Sequence, residues 1–269
     1  MSLPLSIIIP WRGGNPVREK SLTNMLNCLK VQETNKGEDP IRMQVIIVEQ
    51  TDPDHKDSAQ QRLNTFVPEA LAGYKYIQLV HESKAFNKSW CINVAARQAM
   101  YDHLLIVDAD SLFGSLYLTT ISHAIEKIPH PHNKMVICWN YIIGMPGKDN
   151  PIARHIRPDA VLTLGGIWYA ERNFYFDEFG GMNENFFGYG GEDNEAYERA
   201  CAIARIYPLS YIAYPLVHQY HDWEKQSPVA IKYFELGRKY PHIIRDRLKK
   251  ANIGNLEHPT LIKMDDLTL

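Results

Sequence analysis

The apolar run His103-Leu104-Leu105-Ile106-Val107 ends in Asp108-Ala109-Asp110. A buried strand that terminates in alternating acids delivers two carboxylates to the rim of a sheet, where a hard cation can join them to a phosphate-bearing ligand. On a regular strand Asp108 and Asp110 share a face, although a turn after Val107 would alter that. One would ligate a metal while the other orients a sugar or ribose hydroxyl. The plainer alternative is an acidic turn that caps the next helix. Asp102, just before the same strand, reads only as a turn residue.

Later, Phe186-Phe187-Gly188-Tyr189-Gly190-Gly191-Glu192-Asp193 forms a glycine-loosened aromatic loop with two acids beside a helix start. Glycines let backbone approach a ligand or adopt positive φ. The acids also suit a helix N-terminus electrostatically, so capping competes with chemistry here. Tyr189 offers an aromatic platform for a sugar ring, with Gly190, Gly191 and Glu192 beside it on the acceptor side. One carboxylate would accept a proton from an acceptor hydroxyl while the other fixes its orientation. Asp193 is assigned as base and Glu192 as orienter, with the swap left open.

Val217-His218-Gln219-Tyr220-His221 adds imidazoles. Their spacing allows both to reach one cation if the chain turns, but not if it stays extended. Otherwise one histidine bonds near Asp222 or Trp223 and the other is exposed. Histidine with carboxylate favours Mn2+ over an all-oxygen Mg2+ site, Mg2+ being the alternative. At the N-terminal end Pro10-Trp11-Arg12 can frame a base or ribose, with Arg12 near a phosphate or uracil carbonyl. Trp11 would equally serve the core and Arg12 the surface. Glu49 can hydrogen-bond a nucleoside, and Lys88 of Phe86-Asn87-Lys88 can approach a diphosphate. Together these features point to an enzyme acting on a diphosphate-activated substrate.

Elements must bring these groups together. Leu5-Ser6-Ile7-Ile8-Ile9-Pro10 reads as a strand, followed by a turn and a helix carrying Leu22, Met25, Leu26 and Leu29 on one face. Strands are expected at 43–49 and 76–80, a helix over 88–100, then the strand ending at Asp108. This alternation implies βα crossovers around a mainly parallel sheet, with Glu49 and Asp108 at strand C-terminal ends, where such sheets place ligands. In the second half, strands are expected at 135–139 and 161–164 around a polar loop, whose 140–158 stretch could close over a donor. A helix over 191–204, a strand over 211–217 and a helix over 229–247, broken or kinked at Pro241, complete the reading.

The chain has 269 residues, 45% of them hydrophobic and 22% charged, which suits a globular domain with a full core. A formal net charge of -2 provides no long-range positive field, so nucleic-acid backbones are disfavoured partners. Cys28, Cys91, Cys138 and Cys201 lie far apart without CxxC spacing and read as reduced thiols. The opening residues lead straight into a strand, with no signal-like or bilayer-length apolar run. The expected location is the cytoplasm, with peripheral association at the inner membrane face as a further expectation.

Four blocks carry a resemblance: Phe86-Asn87-Lys88-Ser89-Trp90-Cys91-Ile92-Asn93-Val94-Ala95, Asp108-Ala109-Asp110, Gly165-Gly166-Ile167-Trp168 and Phe187-Gly188-Tyr189-Gly190-Gly191-Glu192-Asp193. In this order they resemble the β-1,4-galactosyltransferases, the related C-terminal galactosyltransferase module of bacterial family-2-like enzymes, and polypeptide GalNAc-transferases. The likeness spans roughly residues 6–223. It implies an α/β GT-A glycosyltransferase: one domain over 1–269, with a nucleotide-sugar-binding half at about 1–110, an acceptor and catalytic half at 111–225, and a C-terminal helix and tail at 226–269. It implies that Pro10, Trp11, Arg12, Lys88 and Asp108 contact a UDP-sugar donor, to which the residue reading adds Glu49 and Ala109. Asp110, His218 and His221 match metal ligands, and Asp193 the base. Tyr189 stands where the galactosyltransferases have a tryptophan, which changes the acceptor surface. The short loops and missing stem resemble bacterial or viral members, in polysaccharide biosynthesis alongside membrane-bound glycan assembly.

The implied reaction is inverting transfer of a hexose or N-acetylhexosamine, galactose or GalNAc favoured, to a glycan hydroxyl. A nucleotidyltransferase is the rival within enzymes; a silent sugar- or nucleotide-binding protein is the rival outside them.

Overall fold

The computed structural model describes residues 3–32, 40–55, 74–129, 133–139, 142–145, 154–156, 163–203, 206–209, 215–221 and 226–269. Strand β1 (Leu5–Trp11) is buried along its whole length, as an apolar strand covered on both faces must be. It lies between β2 (Met43–Thr51) and β4 (His103–Val107), parallel to both, and β3 (Lys75–Val80) extends the sheet beside β2. Helix α1 (Pro16–Lys30) packs Leu22, Met25, Leu26 and Leu29 into the core, as the spacing of those residues predicts. Its start is set by Asn15, whose side chain accepts from the Val17 N–H, and by proline in the first turn.

Beyond β4 the sheet departs from a simple parallel run. Strand β9 (Ile167–Glu171) lies antiparallel between β4 and β6 (Met135–Ile137), and β10 (Ile206–Pro208) closes that edge parallel to β6. The resulting order is β10-β6-β9-β4-β1-β2-β3, a mostly parallel, Rossmann-like α/β sheet as expected. A second sheet joins β5 (Ser111–Leu112), β7 (Ile142–Gly144), β8 (Arg154–Ile156) and β11 (Leu216–His218), in the order β5-β11-β7-β8. It stands directly after Asp110 and carries His218.

Several expected boundaries change. Helix α2 (Lys88–Arg97) stops before Met100, and α3 (Tyr117–Glu126) follows β5. The strand expected over 135–139 ends at Ile137, although the Cys138 N–H still bonds the Ile167 carbonyl (3.0 Å). Thr163 and Leu164 are not strand, residues 161–162 lie outside the described set, and β9 instead begins after two glycines. The loop expected between those strands contributes β7 and β8; the rest of 140–158, apart from Met145, lies outside the described residues, as do 211–214 of the strand expected over 211–217. Helix α4 (Glu192–Ala202) matches its expected start. Pro241 divides α5 (Pro228–Lys239) from α6 (Pro241–Lys250), because a proline is tolerated in a first helical turn, where its missing N–H has no partner to lose.

The C-terminal tail folds back under the aromatic loop. Ile253, Ile262 and Met264 are buried, and buried Glu184 accepts from Asn93 Nδ2 (2.8 Å), the Gly254 N–H (2.7 Å) and the Thr260 N–H. Asn185 bonds both the N–H and the carbonyl of Ile262, at 2.9 Å each. Among the described residues no helix is long and apolar enough to cross a membrane.

Helix α4 is held by a fully buried ion pair. Arg199 donates through Nε and Nη2 to Glu195 (2.8 and 3.0 Å) and through Nη1 to the carbonyls of Phe179 and Gly181 (2.8 and 2.9 Å). Removing one partner strands the other as a buried charge. Arg199→Leu is therefore expected to cost about 3–5 kcal/mol, read as a fall in the urea midpoint; an unchanged midpoint would show that the pair does not anchor the helix.

Candidate active site

The acids of β4 and α4 meet at one ammonium group. Lys88 Nζ lies 2.7 Å from Asp108 Oδ1, 2.7 Å from Asp193 Oδ2 and 3.9 Å from Glu192 Oε1. Local structure places each partner. Asn87 caps α2 by accepting from the Trp90 N–H (2.9 Å) and is itself held by Gln50 of β2 and the Glu184 carbonyl, so Lys88 enters in the first turn. Asp108 follows β4, and its Oδ2 accepts from the Gly166 N–H (2.8 Å). Gly166 has φ of +95°, and a Cβ there would lie 2.7 Å from Leu216, so the turn requires glycine. Gly191, at φ +94°, caps α4 and turns Glu192 and Asp193 inward.

Burial acts to strip the proton from Lys88, but Asp108, Asp193 and Glu192 outweigh it and hold the amine charged. One cation cannot balance three acids. Burial, reinforced by Asp193, pushes Glu192 up to about 8. Glu192 therefore holds its proton to higher pH than an ordinary carboxyl does. Burial also raises Asp108, against the pull of Lys88. Asp193 Oδ1 and Glu192 Oε2 are buried without a hydrogen-bond partner among the described residues.

Asp110 lies beyond this cluster and faces the histidines. Its Oδ2 is 3.5 Å from His218 Nε2 and 3.3 Å from His221 Nε2. Burial would raise Asp110, yet His218 and His221 override it and bring it down to about 2. One ligand atom from each of the three residues lies within 4.8 Å of the others. Asp110 Oδ1 is buried without a hydrogen-bond partner among the described residues. A buried orphan oxygen beside two imidazoles is a donor set that fits a divalent cation. The two imidazoles converge, with ring centroids 5.2 Å apart, although the chain from 219 to 221 forms no regular turn.

Both clusters line one cavity of 560 Å³ at the C-terminal ends of β1 and β4. Pro10, Trp11, Arg12, Lys88, Asp108 and Ala109 line it, as do Tyr189, Gly190 and Gly191. Tyr189 is half-buried, and that burial raises its phenol to about 12. Glu49 is placed differently. It is buried inside β2, accepts from the Gly13 N–H (3.2 Å) and the Tyr76 hydroxyl (2.6 Å), and is absent from the cavity lining. Lys88 contacts acids where the sequence suggested a diphosphate. Arg18, Lys84, Thr163 and Asn194 also line the cavity and escaped the sequence reading. For Arg18 the available signal was its place in the first turn after the Pro10-Trp11-Arg12 loop.

A family model described as the N-terminal domain of galactosyltransferase matches residues 156–205, well under half of the chain. No curated protein matches by sequence. Among solved structures, residues 1–349 of S. aureus TarS in complex with UDP-GlcNAc superpose with a TM-score of 0.60 at 18% identity, covering 92% of this chain and 70% of that one. GalNAc-T7 with UDP, GalNAc and Mn2+ gives 0.58 at 13% identity, covering 88% of this chain and 48% of that one. A longer S. aureus TarS structure gives 0.54 at 20% identity, covering 88% of this chain and 44% of that one. With the sheet order, these likenesses show the Rossmann-like GT-A fold of glycosyltransferases; at such identities they show the fold alone.

The raised carboxyl of Glu192 has a consequence for stability. Its folded pKa of about 8 exceeds the ordinary 4.5, so between those values the native state binds more protons than the unfolded chain. Stability falls as pH rises through this window. Glu192→Gln removes that penalty and is expected to gain about 1–3 kcal/mol over the parent at pH 8. The gain should fade toward pH 4.5. Urea midpoints at both ends of the window check this, and an equal gap at each would contradict it.

Proposed function

We propose that this chain is an inverting, metal-dependent glycosyltransferase that moves a hexose or N-acetylhexosamine, galactose or GalNAc favoured, from a UDP-sugar to a glycan hydroxyl. One observation carries the reading. A carboxylate with an unpartnered oxygen, Asp193, shares a 560 Å³ cavity with an Asp-His-His cluster suited to a divalent cation.

The residues divide the work. Pro10, Trp11 and Arg12 frame the nucleoside, Glu49 braces that segment through Gly13, and Asp108 with Ala109 lies beside the ribose and diphosphate. Asp110, His218 and His221 would hold Mn2+, or Mg2+ in its place, which supplies charge stabilisation for a departing diphosphate. Tyr189, Gly190 and Gly191 form the acceptor floor. Asp193 Oδ1 takes the proton of the acceptor hydroxyl as that oxygen attacks the anomeric carbon, and the bond to UDP breaks on the opposite face. Lys88 holds Asp193 through Oδ2, leaving Oδ1 for the acceptor. Glu192, carrying its proton, can donate a hydrogen bond to a sugar oxygen, which supports Asp193 as base over the swap. On this reading residues 1–110 serve the donor, 111–225 the acceptor and chemistry, and 226–269 brace the loop between them.

A panel of UDP-sugars with and without Mn2+ tests this reading, followed by UDP release and anomeric NMR of the product. Mn2+-dependent UDP release with inverted configuration is expected. Asp193→Asn should lower kcat by roughly 10²–10⁴ while UDP affinity, read by calorimetry, stays near the parent value. Near-parent turnover in that variant would remove Asp193 as base, and pyrophosphate release from a nucleoside triphosphate would favour a nucleotidyltransferase.

A further inference from the structure

Gln219 stands between the two histidines but does not line the cavity. It is buried, and its side chain is engaged by α1: Nε2 donates to the Ser21 carbonyl (2.9 Å) and Oε1 accepts from Asn24 Nδ2 (2.7 Å). Its backbone N–H donates to the Asp110 carbonyl (2.9 Å). A single residue thus ties the backbone of one cluster member to a helix that supplies no member of it.

The placement of the two rings makes this tie consequential. In extended chain, residues three apart project to opposite faces and lie about 10 Å from each other. His218 and His221 instead bring their rings to 5.2 Å. Strand β11 ends at His218, and Gln219 is the residue fastened where the chain leaves it. The helix it grips is a firm base, since Leu22, Met25, Leu26 and Leu29 are fully buried. Its far end is fixed as well: Gln32 donates to the Gly114 carbonyl (3.0 Å) and accepts from the Leu118 N–H (2.9 Å), just beyond β5. Arg18 and Ser21 of the same helix line the cavity, so the tie also joins that wall of the cavity to the histidine segment.

We propose that Gln219 is a positioning residue for the Asp110–His218–His221 cluster, so that cation affinity depends on a hydrogen-bond strap to α1. This inference rests on the reading of that trio as a cation site. Its partner Asn24 contacts Gln219 and lies outside the cavity lining, so the shorter of the strap's two side-chain bonds can be cut at a distance from the ligands.

The test is direct Mn2+ binding by EPR on the full chain, with no nucleotide or sugar present. Asn24→Ala and Gln219→Ala should each weaken Mn2+ binding by roughly 10–100-fold, as loss of outer partners does at metal sites. The double variant should be no more than about twofold weaker than Gln219→Ala alone, because both changes cut one strap. Thermal unfolding of Asn24→Ala close to the parent value would separate this from general destabilisation, and that variant alone decides the matter if Gln219→Ala fails to fold. Parent-like Mn2+ affinity in the variants, or multiplicative losses in the double variant, would overturn the strap alone. A parent protein that takes up no Mn2+ would overturn the cation reading together with it.

Discussion

The site depends on a single ammonium group. Three carboxylates, from the end of β4 and the start of α4, converge on Lys88, and without it they would repel one another in a largely desolvated pocket. The balance is incomplete, and that matters. One positive charge among three acids leaves Glu192 holding its proton more tightly than an ordinary carboxyl, while Asp193 is clasped on one oxygen only. Identical functional groups on adjacent residues thereby acquire different chemical characters, a donor and an acceptor, from their surroundings.

The sheet is built to make this convergence. A purely parallel arrangement would present the ends of β1, β2 and β4 on one rim but would bring no strand back toward Asp108. The antiparallel β9 does so, entering through Gly165 and Gly166. The Gly166 N–H bonds the Asp108 side chain, while its carbonyl bonds the Asp108 N–H (2.9 Å). The small second sheet then begins at Ser111, pairs it with His218, and so places the acid and the imidazoles together. Two sheets meeting at Asp108–Ser111 divide the cavity into an acid–lysine side and an acid–histidine side.

Much of this was legible in local pattern. The apolar runs of β1, β2 and β4, the Leu22–Met25–Leu26–Leu29 face and the glycine-to-acid entry into α4 each have one physical solution, and the structure adopts it. Short elements were not legible. The strands β7 and β8 have three residues each, too few for a period, and β7 pairs not only with β8 but with β11, about seventy residues on. At the site, grouping of Asp110 with His218 and His221 follows from residue chemistry, but the ion pairing of Lys88 does not. Nothing local to Phe86-Asn87-Lys88 reveals acids brought from 20 and more than 100 residues away. The inward position of Glu49 was similarly hidden, since a strand-end acid reads alike whether it faces a ligand or a neighbouring hydroxyl.

The tail that seals the aromatic loop bears on how the molecule is born. Glu184 and Asn185, just ahead of Phe186 and Tyr189, find their partners at Gly254, Thr260 and Ile262. During synthesis those partners leave the ribosomal tunnel about seventy residues after the loop they hold. The β1–β4 half can therefore gather as it emerges, whereas the segment leading into Tyr189 locks only once residues 254–262 have followed, so the pocket ripens later than the sheet that carries it.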